Sequence, residues 1–109
     1  MAVTQSQSMQ PASLSNVAVG SYLTSSTAAA IVITTGFKPR FVEVCNETSG
    51  DSYKWYEGMA DAEAIKRVAA GTTSIITTLG ITVSSSGFTI GLDEDVNVIN
   101  EQLSWIAQG

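Results

Sequence analysis

GFKPRFVEVCN, residues 36–46, is the stretch whose reading decides the fold. Gly36 and Pro39 mark a connection between elements. Proline fixes its own φ and pushes the residue before it, Lys38, into an extended conformation. The chain leaves Pro39 already extended, and residues 40–46 read as a strand. Side chains alternate across a strand, so Val42 and Val44 share one face and Phe41, Glu43 and Cys45 the other.

The same grammar repeats on both sides. Upstream, VAVGSYL (17–23) alternates around Gly20. AAIVITT (29–35) is β-branched and almost continuously apolar, the pattern of a strand covered on both faces. Downstream, ETSGD (47–51) is a turn. SYKWYE (52–57) is a strand with Tyr53 and Trp55 on one face and Lys54 and Tyr56 on the other. GMADAEAIKRVAAGTT (58–73) reads two ways. Ala, Glu and Lys favour helix, but Ile65 and Val68 fit a strand over 64–69 behind a turn at 59–62, and we favour the strand. SIITT (74–78), ITVSS (81–85) and FTIGL (88–92) read as three short strands split by Gly80 and by Ser86-Gly87. An acidic loop, DEDVNVIN (93–100), precedes QLSWIAQ (102–108), which places Leu103, Trp105 and Ala107 on one face.

Eight or nine short strands at near-regular spacing, with turn residues between them, predict an all-β antiparallel sandwich or barrel. The lack of helices between strands argues against a parallel α/β sheet. No internal repeat is visible. The strands occupy a domain over 17–109. Residues 1–16, rich in Ser and Gln and without strand or helix period, read as an extended N-terminal arm.

Charge sets the limits on function. Charged residues are 14% of the 109 residues, against roughly 25% in an average soluble domain. The first 37 residues carry none. Neutral hydroxyl and amide side chains take the place of charges, which suits contact with other proteins. Net charge is −5, and the five basic residues (Lys38, Arg40, Lys54, Lys66 and Arg67) are scattered. A nucleic-acid binder concentrates positive charge on one face, so no nucleic-acid partner is expected. The N-terminus has no basic segment followed by an apolar one, and no apolar run has the length of a membrane span. Synthesis and folding in a cytoplasm, without a membrane partner, are the expectation. A single cysteine, Cys45, has no internal disulfide partner and reads as a small half-buried strand residue.

The chain has no histidine, which removes the usual general base and the commonest zinc ligand. GITVSSSG (80–87) lacks the lysine and following helix of a phosphate cradle. Two carboxylate sets stand out: Glu57 with Asp61, and the run Asp93, Glu94, Asp95. The first could suit a glycosidase only if a cleft held the pair. The second lacks the spacing of a calcium loop and reads as a solvated or partner-facing acidic loop. No catalytic residue, cofactor or metal is expected. Among the aromatics, Tyr53, Trp55 and Trp105 read as core. Tyr56 stands open between an edge cap and a platform for a protein or a sugar.

The order GFKPRFVEVCN, YKWYEGMAD, GITVSSSGFTIG and NEQLSWIA resembles small structural proteins of tailed bacteriophages, of the jelly-roll decoration or cement type. The resemblance runs from about residue 17 to residue 107. It implies a jelly roll that is not an enzyme and sits on the capsid exterior of the virion. There it would staple neighbouring subunits of the major capsid protein, with itself as a dimer or trimer. The partner surface would then comprise Val3, Met9 and Leu14 of the arm, Tyr56, and Asp93, Glu94 and Asp95. An uncharged arm fits that role, because a charge buried unpaired against a partner is costly and strand addition needs only backbone. Two other readings stay open. One is a carbohydrate-binding module or minor component of a phage tail, using Tyr53, Tyr56 and residues 92–100. The other is a small hydrolase built on Glu57 and Asp61.

Overall fold

The computed structural model describes residues 16–109. Residues 1–15, with Val3, Met9 and Leu14 and nearly all of the expected arm, lie outside the described residues. The rest is all-β. Eight strands follow in chain order: β1 (Val17–Leu23), β2 (Ile31–Thr34), β3 (Phe41–Asn46), β4 (Ser52–Tyr56), β5 (Glu63–Arg67), β6 (Thr73–Ser84), β7 (Gly87–Ile90) and β8 (Gln102–Gln108). Every ladder is antiparallel, and the strands form one sheet in the order β1-β8-β3-β4-β5-β6-β7-β2.

Alternation places the core as the sequence predicts in β3, β4 and β8. Val42, Val44, Tyr53, Trp55, Leu103 and Ala107 are buried on the inner face, joined by Ala64, Ile81, Phe88, Ile90, Ile31 and Val96. Phe41, Glu43, Cys45, Lys54 and Tyr56 turn outward.

The sheet curls because the chain forces it to. β1 and β2 are consecutive in sequence yet occupy opposite edges. Eight strands laid flat would hold those edges about 34 Å apart. The link from Leu23 to Ile31 spans at most about 28 Å fully extended. The bend that closes the difference lies in β6. Its first part, Thr73–Ile76, pairs with β5 and its last part, Ile81–Ser84, pairs with β7. Between them Leu79 adopts a left-handed φ of 61°, and a Cβ on Gly80 would sit 2.6 Å from the Glu63 carbonyl oxygen. Only glycine lets β5 approach this closely. Beyond the bend, β7 folds over β8, and Phe88 meets Trp105 edge-on with ring centroids 5.5 Å apart. The result is a half-barrel filled by one core.

Three expectations shift. The two strands expected at 74–78 and 81–85 are the single bent β6. The strand expected over 64–69 runs over Glu63–Arg67, because Val68 and Gly71 close a turn through the Gly71 N–H and the Val68 carbonyl. The strand expected to be covered on both faces is β2, an edge strand whose Val32 is 73% exposed. Its apolar run reflects β-branched propensity rather than two-sided burial.

Candidate interaction surface

The acidic loop is the first candidate, and its chemistry points inward. Asp93 is buried. One oxygen of its carboxylate accepts from the backbone N–H groups of Asp95 (2.8 Å) and Val96 (3.2 Å), and the other lies 3.0 Å from Lys66 Nζ. Lys66 Nζ also reaches Asp95 at 2.6 Å. Burial alone would raise the Asp93 pKa, yet those N–H groups and the Lys66 ammonium together hold it below the usual carboxylate value. Burial likewise opposes the Lys66 charge, and hydrogen bonds to Asp95 and Asp93 outweigh it, so its pKa is raised. Tyr53 beneath them donates its hydroxyl to the Leu79 carbonyl. Burial first, and the Asp93 charge second, push its pKa up.

Around this triad the loop is tied down on every side. Asn46 Nδ2 donates to the Val96 carbonyl (3.0 Å) and to Glu101 (2.8 Å). Asn97 Nδ2 donates to the carbonyls of Ala29 and Gly91. Among the described residues no buried side-chain polar atom lacks a hydrogen-bond partner, so none is left aimed at a ligand. Residues 91–101 therefore plug the end of the half-barrel. Of the three expected contact residues in the loop, Asp93 is committed to the interior, Asp95 is half-buried on Lys66, and only Glu94 is exposed. The interior role of Asp93 replaces the expected surface one.

The outer face of the sheet is the second candidate. The ladders align Val19, Ile106, Glu43, Lys54, Ile65 and Ile75 in one row across β1, β8, β3, β4, β5 and β6. A neighbouring row holds Val17, Gln108, Phe41 and Tyr56. Val19 and Ile75 are each 68% exposed. Two shallow grooves lie on this face. One, of about 340 Å³, is lined by Glu43, Cys45, Ser52, Lys54, Ile65, Arg67 and Thr73. The other, of about 370 Å³, is lined by Arg40, Phe41, Tyr56, Glu57, Gln108 and Gly109. Their charged side chains are three cations, Arg40, Lys54 and Arg67, and two carboxylates, Glu43 and Glu57, a net of +1 on a chain of net −5. The face is thus apolar and near-neutral on an acidic protein.

Tyr56 is 46% exposed and tilts onto Phe41 at 5.1 Å. Arg40 and Glu57 pair beside it at 3.2 Å. Tyr53 is fully buried, so it cannot stack on a sugar. Glu57 and Asp61 line a third groove, of about 280 Å³, with Lys38, Trp55 and Met59. Glu57 is engaged by Arg40, and the indole N–H of Trp55 donates to the Ala60 carbonyl. The Cys45 pKa is raised by burial first, then by Glu43 and Glu47, which keeps the sulfur a poorly nucleophilic thiol. Among the described residues no group of His, Cys, Asp and Glu could hold a metal ion, and no helix is long and apolar enough to cross a membrane.

Sequence reading missed the breadth of this face. Ile65, Ile75 and Ile106 each read as strand residues, but their row exists only once register is set. No family model matches the chain, and comparison with curated proteins and with solved structures finds no match.

Proposed function

We propose that this chain is a non-enzymatic structural protein of a tailed-bacteriophage virion. In this reading it binds the capsid exterior and staples neighbouring subunits of the major capsid protein. The observation that carries the reading is the outer sheet face: broad and near-neutral, with exposed apolar side chains (Val19, Ile75, Ile106) on either side of the Glu43–Lys54 pair and grooves that open to solvent. Small-molecule sites are concave and bury most of their ligand, whereas a protein partner covers a broad, open face.

The jelly-roll part of the reading draws support from pairing. A jelly roll is a long hairpin wound on itself, so first pairs with last, second with seventh, third with sixth and fourth with fifth. Three of those ladders, β1–β8, β2–β7 and β4–β5, are present; β3 pairs with β4 and β8 in place of β6. The sequence resemblance to decoration proteins points the same way.

The test is a charge placed on the apolar side chains that flank the Glu43–Lys54 pair in the row. Ile75→Glu combined with Ile106→Glu leaves the inner core untouched. The doubly substituted protein should fold normally and lose attachment to phage heads. Full attachment by a folded variant would remove this face from the proposal.

A second reading rests on Tyr56. An exposed aromatic on Phe41, beside the polar Arg40–Glu57 pair in one groove, offers a stacking platform for a sugar ring on a tail or surface appendage. Specific glycan binding that disappears in Tyr56→Ala would favour it over the capsid role.

A further inference from the structure

Among the described residues β1 is an unguarded edge. Among them it pairs only with β8, in an unbroken seven-residue register from Val17 to Leu23. Natural edge strands are shortened, bulged, or armed with Lys or Pro, because a long bare edge pairs with whatever strand it meets. β1 has none of these devices. The opposite edge, β2, is only four residues long. A strand such as β1 persists in a functional protein when something occupies it.

The charge pattern says what can. Neither β1 nor β8 contains a charged residue, whereas two copies of a chain of net −5 repel one another over the rest of their surface. The β1–β8 strip lets two copies meet without opposing like charges; the β7–β2 edge is uncharged as well, but β2 offers only four residues to pair. An acidic or basic partner would gain no ion pair there.

Geometry agrees. We propose that β1 is a self-association strand: two copies pair β1 with β1 in antiparallel fashion about Gly20, merging their eight-stranded sheets into one. Gly20 is the middle residue of the strand, so a two-fold axis through it sets Val17 against the partner's Leu23 and Val19 against the partner's Ser21. These are outer-face positions, and Val17, Val19 and Leu23 are all exposed in the single chain. On the inner face Tyr22, also exposed, falls opposite the partner's Ala18, a small residue that leaves room for the ring. Gly20 meets the partner's Gly20 at the axis, where each Trp105 lies across its own glycine. The contact is isologous, as a two-fold dimer requires, and continues the apolar row that runs through Ile106.

The pairing predicts a residue-specific charge rule. In Val19→Lys with Ser21→Lys, each new lysine faces another across the axis, so the dimer should dissociate. In Val19→Lys with Ser21→Glu, each lysine faces a glutamate, and the dimer should persist. Light scattering on the purified chain reads the mass, against 11.4 kDa for one copy, and circular dichroism checks the fold. Deletion of residues 2–15 should leave the dimer intact. Hydrogen exchange of the unaltered protein reads the same contact without substitution: amides of 17–23 should gain protection as concentration rises.

Four results would overturn the proposal. They are an unaltered chain that stays monomeric with β1 amides unprotected at every concentration, a dimer that survives the double lysine change, a folded Lys/Glu variant that is monomeric, and a dimer lost on deleting 2–15. The last would assign the edge to the N-terminal segment. No capsid enters these experiments, so their outcome is separate from that of the capsid reading.

Discussion

Lys66 and Asp93, 27 residues apart in sequence, meet with Nζ and Oδ2 3.0 Å apart and with side chains only 12% and 10% exposed. This ion pair, completed by Asp95, fastens the loop at 91–101 to β5. Lys66→Met would remove the cation and leave the Asp93 carboxylate under cover beside the half-buried Asp95. Breaking a buried pair from one side costs about 3–5 kcal/mol. Urea unfolding should show a loss in that range, while Lys38→Met at an exposed position should change little.

The same triad sets the pH range of stability. Asp93 has a lowered folded pKa, so its contribution is present above the ordinary carboxylate value of about 3.9 and is lost as pH falls through the folded value. Lys66 has a raised folded pKa, so its contribution is present below about 10.4 and is lost as pH rises through the folded value. The raised pKa of Tyr53 acts in the same alkaline direction, since the unfolded phenol ionises first. Stability should be flat between about pH 4 and about pH 8. It should ease off from about pH 8.5 as the Cys45 thiol, raised in the fold, ionises first in the unfolded chain, and fall more steeply above about pH 10 and below about pH 4. In Lys66→Met the alkaline fall should shrink to the cysteine and tyrosine components, measured as the denaturation midpoint against pH.

Gly20 sits opposite Trp105 in the β1–β8 ladder, and a Cβ there would lie 2.5 Å from the indole. Gly20→Val would drive the ring off the strand and away from Phe88. Overpacking of this kind costs about 1–3 kcal/mol. The near-ultraviolet circular dichroism should weaken as Trp105 loses its fixed surroundings, with the far-ultraviolet spectrum kept.

Leu79 holds a φ of 61° with half of its side chain exposed. The left-handed region costs a bulky residue about 1–2 kcal/mol. Leu79→Gly should raise the thermal midpoint, since it relieves that cost and removes little packing. A lowered midpoint would mean that the Leu79 side chain supports the bend in β6.

Much of the fold is legible locally. Val42, Val44, Tyr53, Trp55, Leu103 and Ala107 fall on the inner face because strict alternation needs no tertiary information. β6 is not legible, because a Leu-Gly step reads as a strand end. The chain continues as one strand only because Leu79 accepts a left-handed turn and Gly80 lets β5 approach. Asp93 misleads for a related reason. A run of three carboxylates looks solvated until Lys66, far away in sequence, is brought beneath it by the β5–β6 register. The outer face shares that limit: Val19, Ile106, Ile65 and Ile75 form a row only through pairings that composition does not encode.

The proposed function is attachment to a phage capsid through the outer sheet face. The most direct measurement is co-sedimentation of the purified protein with tailed-phage heads that lack it, quantified against the major capsid protein. The account predicts saturable binding at a fixed ratio of copies to capsid subunits, with the ratio identifying the symmetry axis occupied. Heads that sediment without the protein at every concentration would contradict it.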